Sequence, residues 1–263
     1  MKTFQHQVFK KLRIGLVMVI VFGLMGLGVF TFGEEKAKDE ETELKEAALN
    51  ALLMMNGEKA IPILEKILKQ KDNPKLREKA VFILSQKSKE KAIPIIIRVA
   101  KTDPDMEVRE KAIFWLGQIR DEKAFNALMD IYNTTKEQSL REKLIFSISQ
   151  HRSEKAFQKL VEIAQKDPDE ETRGKAIFWI SQSGNKGAAD ILQKIALGDP
   201  DKNIREKALF ALSQLPGHAG VPYLIKIAKT HKDMNTRKKA VFWLGQSNHP
   251  DAIKVLEEIA HGK

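Results

Sequence analysis

The ten residues 109–118, REKAIFWLGQ, are rewritten with small changes at 77–86, 141–150, 173–182, 205–214 and 237–246. Each step is 32 residues, with no insertion or deletion. Arg77, Arg109, Arg141, Arg173, Arg205 and Arg237 hold one register, and the Phe five places later and the Gln nine places later hold it with them. A strict period of this length constrains the fold more than any composition does. One unit is too short to bury its own apolar face, so it stacks on its neighbours and the chain grows as a solenoid.

Within each unit the periodicity is that of two helices. Around the quoted motif, Val108, Ala112, Trp115, Leu116 and Ile119 fall within roughly a 100° arc of a helical wheel, which predicts the core face. The other segment places Ala92, Ile96, Val99 and Ala100, or Ala156, Leu160, Ile163 and Ala164, on one face in the same way. Between them run Asp103-Pro104-Asp105, Asp167-Pro168-Asp169 and Asp199-Pro200-Asp201. The proline stops the first helix and the following acid caps the second, giving a cap column of Asn73, Asp105, Glu137, Asp169, Asp201 and Asp233. With a leading half-unit at about 43–55 and a lone closing helix at about 250–261, the expected count is about 14 helices in an all-α solenoid of residues 43–263. Its ends act as caps, and Ile253, Leu256 and Ile259 in the last helix need cover on one side only.

The Asp-Pro-Asp loop, Val108-Arg109 with Ala112 and Leu116, and Pro62, Pro94 and Pro222 in the preceding helices resemble the HEAT repeat in its short bacterial form, the bilin-lyase-type HEAT-like repeat. The resemblance covers roughly residues 43–262. It implies a right-handed α-solenoid whose Arg-bearing helices line a concave inner surface. The pairs Asp103/Arg109, Asp167/Arg173 and Asp199/Arg205 look like the Asp and Arg that form a ladder between HEAT units. Three units depart from that pattern, with Lys71, Thr135 and His231 where the ladder Asp is expected. The fold hosts scaffolds and a few enzymes, so the resemblance does not fix a function.

The unvarying positions divide into two groups. The arginine sits near a helix N-terminus, where the helix dipole disfavours a cation, so a specific acidic partner in the loop is expected. The column Ile83, Trp115, Ser147, Trp179, Ala211, Trp243 alternates large and small, which reads as interdigitated core packing with a 64-residue super-period. Phe114 lies at roughly 240° from Val108 and Gln118 near 280°, away from the core arc. The candidate partner-binding residues are therefore Phe82, Phe114, Phe146, Phe178, Phe210 and Phe242 with Gln86, Gln118, Gln150, Gln182, Gln214 and Gln246. An apolar stripe rimmed by polar side chains marks an interaction surface. Rings packed on one another between units, and Gln hydrogen bonds along the stack, would produce the same columns.

The N-terminus supplies a further expectation. Residues 14–32 run 19 residues without a charge, about 28 Å as a helix, near the thickness of a bilayer core. Lys2, Lys10, Lys11 and Arg13 precede it, and residues 34–42 form a charged linker. This predicts a basic cytoplasmic N-terminus (1–13), one transmembrane helix (14–33) and repeats on the periplasmic or extracellular side. Signal cleavage after 31–33, giving a secreted protein, is the alternative. The rest of the chain has 41 basic and 35 acidic residues, an interspersed +6 that does not make a nucleic-acid stripe.

The absence of cysteine excludes disulfides, thiolate metal sites and cysteine nucleophiles. No His pair at i, i+4 and no His-Glu dipeptide is present, so no metal site, cofactor or catalytic residue is expected. The expected function is a protein-interaction scaffold that takes a protein or peptide partner in the concave groove. The alternatives are an enzyme of a bilin-lyase-like HEAT class or an inert spacer.

Overall fold

The computed structural model describes residue 41 and residues 43–262. Residues 43–54 form helix α1 in a first compact unit, Met1–Asn56. The second unit, Gly57–Lys263, is a run of helix pairs. These are α2 (Gly57–Leu68) and α3 (Pro74–Ser85), α4 (Lys89–Thr102) and α5 (Met106–Gln118), α6 (Glu122–Thr134) and α7 (Gln138–Gln150), and α8 (Glu154–Lys166) and α9 (Glu170–Gln182). There follow α10 (Ala188–Gly198) and α11 (Lys202–Ser213), then α12 (Val221–Thr230) and α13 (Met234–Gln246), and the lone α14 (Pro250–Ala260). The motif-bearing helices are the odd ones, α3 to α13. Among the described residues the two units together hold the expected 14 α-helices and no strand.

The transmembrane part of the expectation is corrected. No helix among the described residues is long and apolar enough to cross a membrane. The longest, α4, has 14 residues, about 21 Å against a hydrocarbon core of about 30 Å, and it carries Lys89, Glu90, Lys91, Arg98 and Lys101. The single-pass placement with repeats outside a membrane falls with that helix. The segment 14–33, with 1–13 and most of 34–42, lies outside the described residues.

The wheel reading of the core holds for the aliphatic positions. Val108, Ala112, Leu116 and Ile119 of the α5 motif are buried, as are Ala92, Ile96, Val99 and Ala100 of α4 and Ala156, Leu160, Ile163 and Ala164 of α8. Ile113, Ile145, Ile177 and Leu209 are also buried, because each odd helix packs against its odd neighbours as well as its even partner. Adjacent odd helices approach one another more closely than adjacent even helices do, so the odd row is the tighter side of the stack. At the closing helix α14, Ala252 and Val255 face the core while Ile253 stays 49% exposed.

Side-chain caps start most odd helices. Asn73, Asp105, Asp169, Asp201 and Asp233 each accept backbone N–H groups of the first turn. Glu137 makes no cap bond; its carboxylate is on Arg109 instead.

The arginine column joins units in a direction the sequence did not specify. Each of the five arginines from Arg77 to Arg205 takes a carboxylate from the next unit's loop, not the Asp six places before it. Arg77 donates through Nε and Nη2 to Asp103 at 2.9 and 3.0 Å, with Arg77 1% and Asp103 9% exposed. Arg141 donates to Asp167 and lies over the Tyr132 ring, whose hydroxyl donates to the same carboxylate. Arg173 is 3.5 Å from Asp199 and 3.3 Å from Asp201, and Arg205 is 3.8 Å from Asp233. Several arginines also reach back to carbonyls at or just beyond the end of the preceding even helix. Arg77 bonds the Gln70 carbonyl, Arg205 that of Asp199 and Arg237 that of Ala228. The negative end of that helix's dipole, with the forward carboxylate, offsets the unfavourable position noted in the sequence.

Two outcomes follow for stability. Removing one partner of a buried ion pair leaves an uncompensated charge, so Arg77→Met is expected to cost about 3–5 kcal/mol in urea unfolding. Arg109→Met, whose carboxylate partner is exposed, should cost about 1 kcal/mol or less. The second outcome concerns His151 at the end of α7. Burial pushes its pKa down, with the Leu116 carbonyl and Asp121 opposing. A depressed pKa means the unfolded chain binds the proton more tightly. The stabilisation is therefore present above the ordinary value of 6.5 and is lost as pH falls below it. Unfolding measured on both sides of that value should show a steeper acid loss in the wild type than in His151→Gln.

Candidate protein-binding surface

Each odd helix turns one stripe away from the core, and the 32-residue register aligns these stripes into columns. The stripe on α5 is Glu110, Lys111, Phe114, Trp115 and Gln118, at spacings of three and four that share a helix face.

The phenylalanines are solvent-accessible in every unit. Phe82, Phe114 and Phe146 are half-buried, and Phe178, Phe210 and Phe242 are 44%, 39% and 53% exposed. The tryptophans differ from expectation. Trp115, Trp179 and Trp243 are half-buried at the same surface, not sunk in the core. At about 340° on the wheel the side chain sits on the edge of the core arc, and the Phe of the preceding unit gives the indole an apolar wall there. Trp115 lies 5.1 Å from Phe82 and 5.0 Å from Phe114 between ring centroids. Trp179 repeats this with Phe146 and Phe178 at 5.2 and 5.1 Å, and Trp243 with Phe210 and Phe242 at 5.1 and 4.9 Å. These are three equivalent Phe–Trp–Phe clusters, one every 64 residues. Phe114 and Phe146 stack at 6.1 Å and 8°, joining the first two clusters.

The glutamines border this ladder, exposed in every unit but the third, where Gln150 is half-buried. Where serine precedes the glutamine, its hydroxyl donates to the Phe carbonyl three residues back, as Ser85 does to Phe82 and Ser149 to Phe146. The Gln Nε2 then donates to that serine oxygen, at 3.0 to 3.2 Å for Gln86, Gln150, Gln182 and Gln214. This fixes the carboxamide and leaves its carbonyl oxygen and second N–H available. In α5 and α13 a glycine stands in the serine's place, so Gln118 and Gln246 lack this tether.

On the other border the lysines are paired between units. Lys143 bridges Glu110 at 3.5 Å, Lys175 bridges Glu142, and Lys239 bridges Glu206 at 3.0 Å. At α9, Gly174 replaces the glutamate and Lys207 reaches to Glu170 at 3.3 Å. Burial raises the pKa of Glu78 at the head of this column, with Lys111 opposing. The cross-unit ion zipper was not anticipated. Its signal was a Glu and a Lys 33 residues apart, visible in the motif's second and third letters.

The structure thus brings the twelve predicted Phe and Gln residues onto one face and adds the three tryptophans. Among the described residues, no cluster of three or more His, Asp or Glu side chains has the geometry of a metal site.

A family model described as HEAT repeats matches residues 66–149, 157–231 and 194–263. No curated protein matches the chain. Among solved structures it is similar to human deoxyhypusine hydroxylase in complex with glycerol, with 16% identity over 84% of this chain and 92% of that one and a TM-score of 0.34. It is also similar to the complex of CpcE and CpcF of phycocyanin lyase from Nostoc sp., with 20% identity over 76% of this chain and 81% of that one and a TM-score of 0.37.

The exposure gradient sets an expected result. Phe242→Ala should lower stability by about 1 kcal/mol or less, whereas Leu116→Ala in the core should cost about 2–5 kcal/mol in the same urea titration. Phe146→Ala, stacked between Phe114 and Trp179, should fall between them.

Proposed function

This chain belongs to the HEAT repeat family, and we propose that it is a protein-binding scaffold whose odd-helix face takes an extended peptide segment of a partner protein. The observation that carries the reading is the solvent-accessible aromatic ladder, bordered by glutamines whose side chains are held in place. HEAT repeats commonly mediate protein interactions, and a row of odd helices on the tighter side of the stack supports a concave surface. A preformed face with tethered carboxamides loses little entropy on binding.

Spacing favours one conformation of that segment. Packed helices sit about 8–10 Å apart, and outside the Phe114–Phe146 stack, where the rings close to 6.1 Å, we take the Phe column to repeat at about that distance. A polyproline II chain presents the same face every three residues, about 9.3 Å. Same-face residues of a β-strand recur at about 6.7 Å, and successive turns of an α-helix at 5.4 Å, so both drift out of register within a few units. A polyproline II backbone also has no internal hydrogen bonds, and one Gln per unit supplies a carboxamide at the matching period. The rings anchor an apolar or prolyl side chain at every third position. The reading assigns the face no catalytic role and no cofactor.

The three tryptophans are the only ones in the chain, and all lie on this face, so their fluorescence reports on it alone. Titration with a peptide carrying proline at every third position is expected to shift the emission and saturate. Replacing Phe178, Phe210 and Phe242 together with alanine should weaken binding at least tenfold. Equal binding of a scrambled peptide of the same composition, or no effect of the triple replacement, would sink the reading.

A further inference from the structure

The unit-to-unit arginine clasp has an internal control, because the same joint is built several times with different residues. In the first, Arg77 holds both oxygens of Asp103 through Nε and Nη2. The adjoining cavity, which also touches Lys69 and Arg98, is about 260 Å³. One unit later the position of Asp103 is Thr135. The corresponding cavity there is about 430 Å³ and is lined by Lys101, Arg109, Asp130, Thr135, Lys136 and Glu137 among others.

Thr135 replaces half of what the aspartate does. Asp103 accepts the backbone N–H of Asp105, and the Thr135 hydroxyl accepts that of Glu137 in the same way. It offers no carboxylate to the arginine. Arg109 reaches only the exposed Glu137, through Nη1 at 3.2 Å, and its Nε is buried without a partner. The other joints do not share this combination. Arg173 also has an unpartnered Nε but faces two carboxylates, Asp199 and Asp201. Where His231 replaces the aspartate, Arg205 bonds Thr236 and two backbone carbonyls and lies near Asp233. The cavity at Arg109 holds three cationic and two anionic side chains, so it carries a net positive charge.

We propose that this joint is a binding site for a carboxylate ligand, which enters the enlarged cavity and completes the clasp of Arg109 in place of the missing aspartate. The geometry at Arg77 is the template. A planar carboxylate meets the guanidinium fork through two parallel N–H donors, a match that a spherical anion lacks. In binding, the ligand draws the Arg109 fork off Glu137 and toward the cavity. The carboxylate is either a free small acid or the terminus of a peptide chain. The site is separate from the aromatic face and does not depend on the reading given to that face.

The test follows the Arg109 side-chain Nε–Hε resonance of the full-length protein, assigned by its loss in Arg109→Lys. Acetate, chloride, and triglycine with a free or an amidated C-terminus are each added at matched ionic strength. Acetate and free-ended triglycine are expected to shift the resonance saturably and raise the melting temperature by a few degrees. Triglycine amide and chloride should not. Thr135→Asp, which supplies the missing carboxylate internally, should melt higher than the wild type and show no response to acetate. A response to triglycine without one to acetate assigns the site to chain termini, and a response to both assigns it to small carboxylates generally. The proposal is overturned if the wild type does not respond, if chloride matches acetate, or if Thr135→Asp responds as the wild type does.

Discussion

The forward clasp, from an arginine at the start of one odd helix to the carboxylate of the next loop, sets the register in which each helix pair meets its neighbour. Apolar burial alone would hold the pairs together, but it is non-directional and tolerates sliding. A guanidinium fork on a buried carboxylate does not. With the register fixed, residues 32 apart fall into straight columns. At the Arg109 joint, where that buried carboxylate is missing, the close packing of α5 on α7 keeps the same register, so the Phe, Gln and Glu–Lys rows run on through it. The even helices show the same register in a weaker, exposed form, where Lys91 meets Glu58 and Lys155 meets Glu122.

The loop residue at the clasp has two duties that the sequence does not separate. One is to accept the backbone N–H two residues on, which closes the turn before the odd helix. The other is to hold the arginine. Asp103, Asp167 and Asp199 do both. Thr135 and His231 look like losses of the motif, yet each keeps the first duty through a hydroxyl or an Nδ1 acceptor. The turn therefore survives where the clasp changes, so the repeat keeps its length and its helices at those joints. Substitutions by residue types that share an acceptor preserve the fold while freeing the ionic partner.

Much of this was legible in the sequence for a physical reason. A strict period makes six copies of one amphipathic pattern, and each copy checks the others. The helix pairs, five of the six caps and the aliphatic core followed from that pattern. Three features did not. The direction of the clasp depends on which loop lies nearer in space, and a column of Asp and Arg at fixed spacing cannot report that. The tryptophans stand on the border between core and face, where a wheel angle alone does not decide. The ion zipper spans units, and a reading confined to one unit counts its glutamates and lysines as solvated charges.

The alternation of large and small residues behind the aromatic ladder explains why that ladder is not uniform. Where Trp115 gives way to Ser147, the helix beside it presents Gly117. A Cβ at Gly117 would lie 2.7 Å from the Ser147 Cβ and 2.8 Å from its Cα, so only glycine permits the contact. The α5–α7 pair is drawn together more closely than the α9–α11 pair two units on. Their two Phe rings can then stack face to face. At the equivalent place between α9 and α11, Ser181 stands where Gly117 stood and Ala211 where Ser147 stood. The backbones stay farther apart there, and among the described residues no such ring stacking joins Phe178 to Phe210. These two rings are correspondingly the more open to solvent. Gly117 thus lets aromatic area be spent on the neighbouring unit at the α5–α7 joint, whereas at the α9–α11 joint that area stays exposed to solvent.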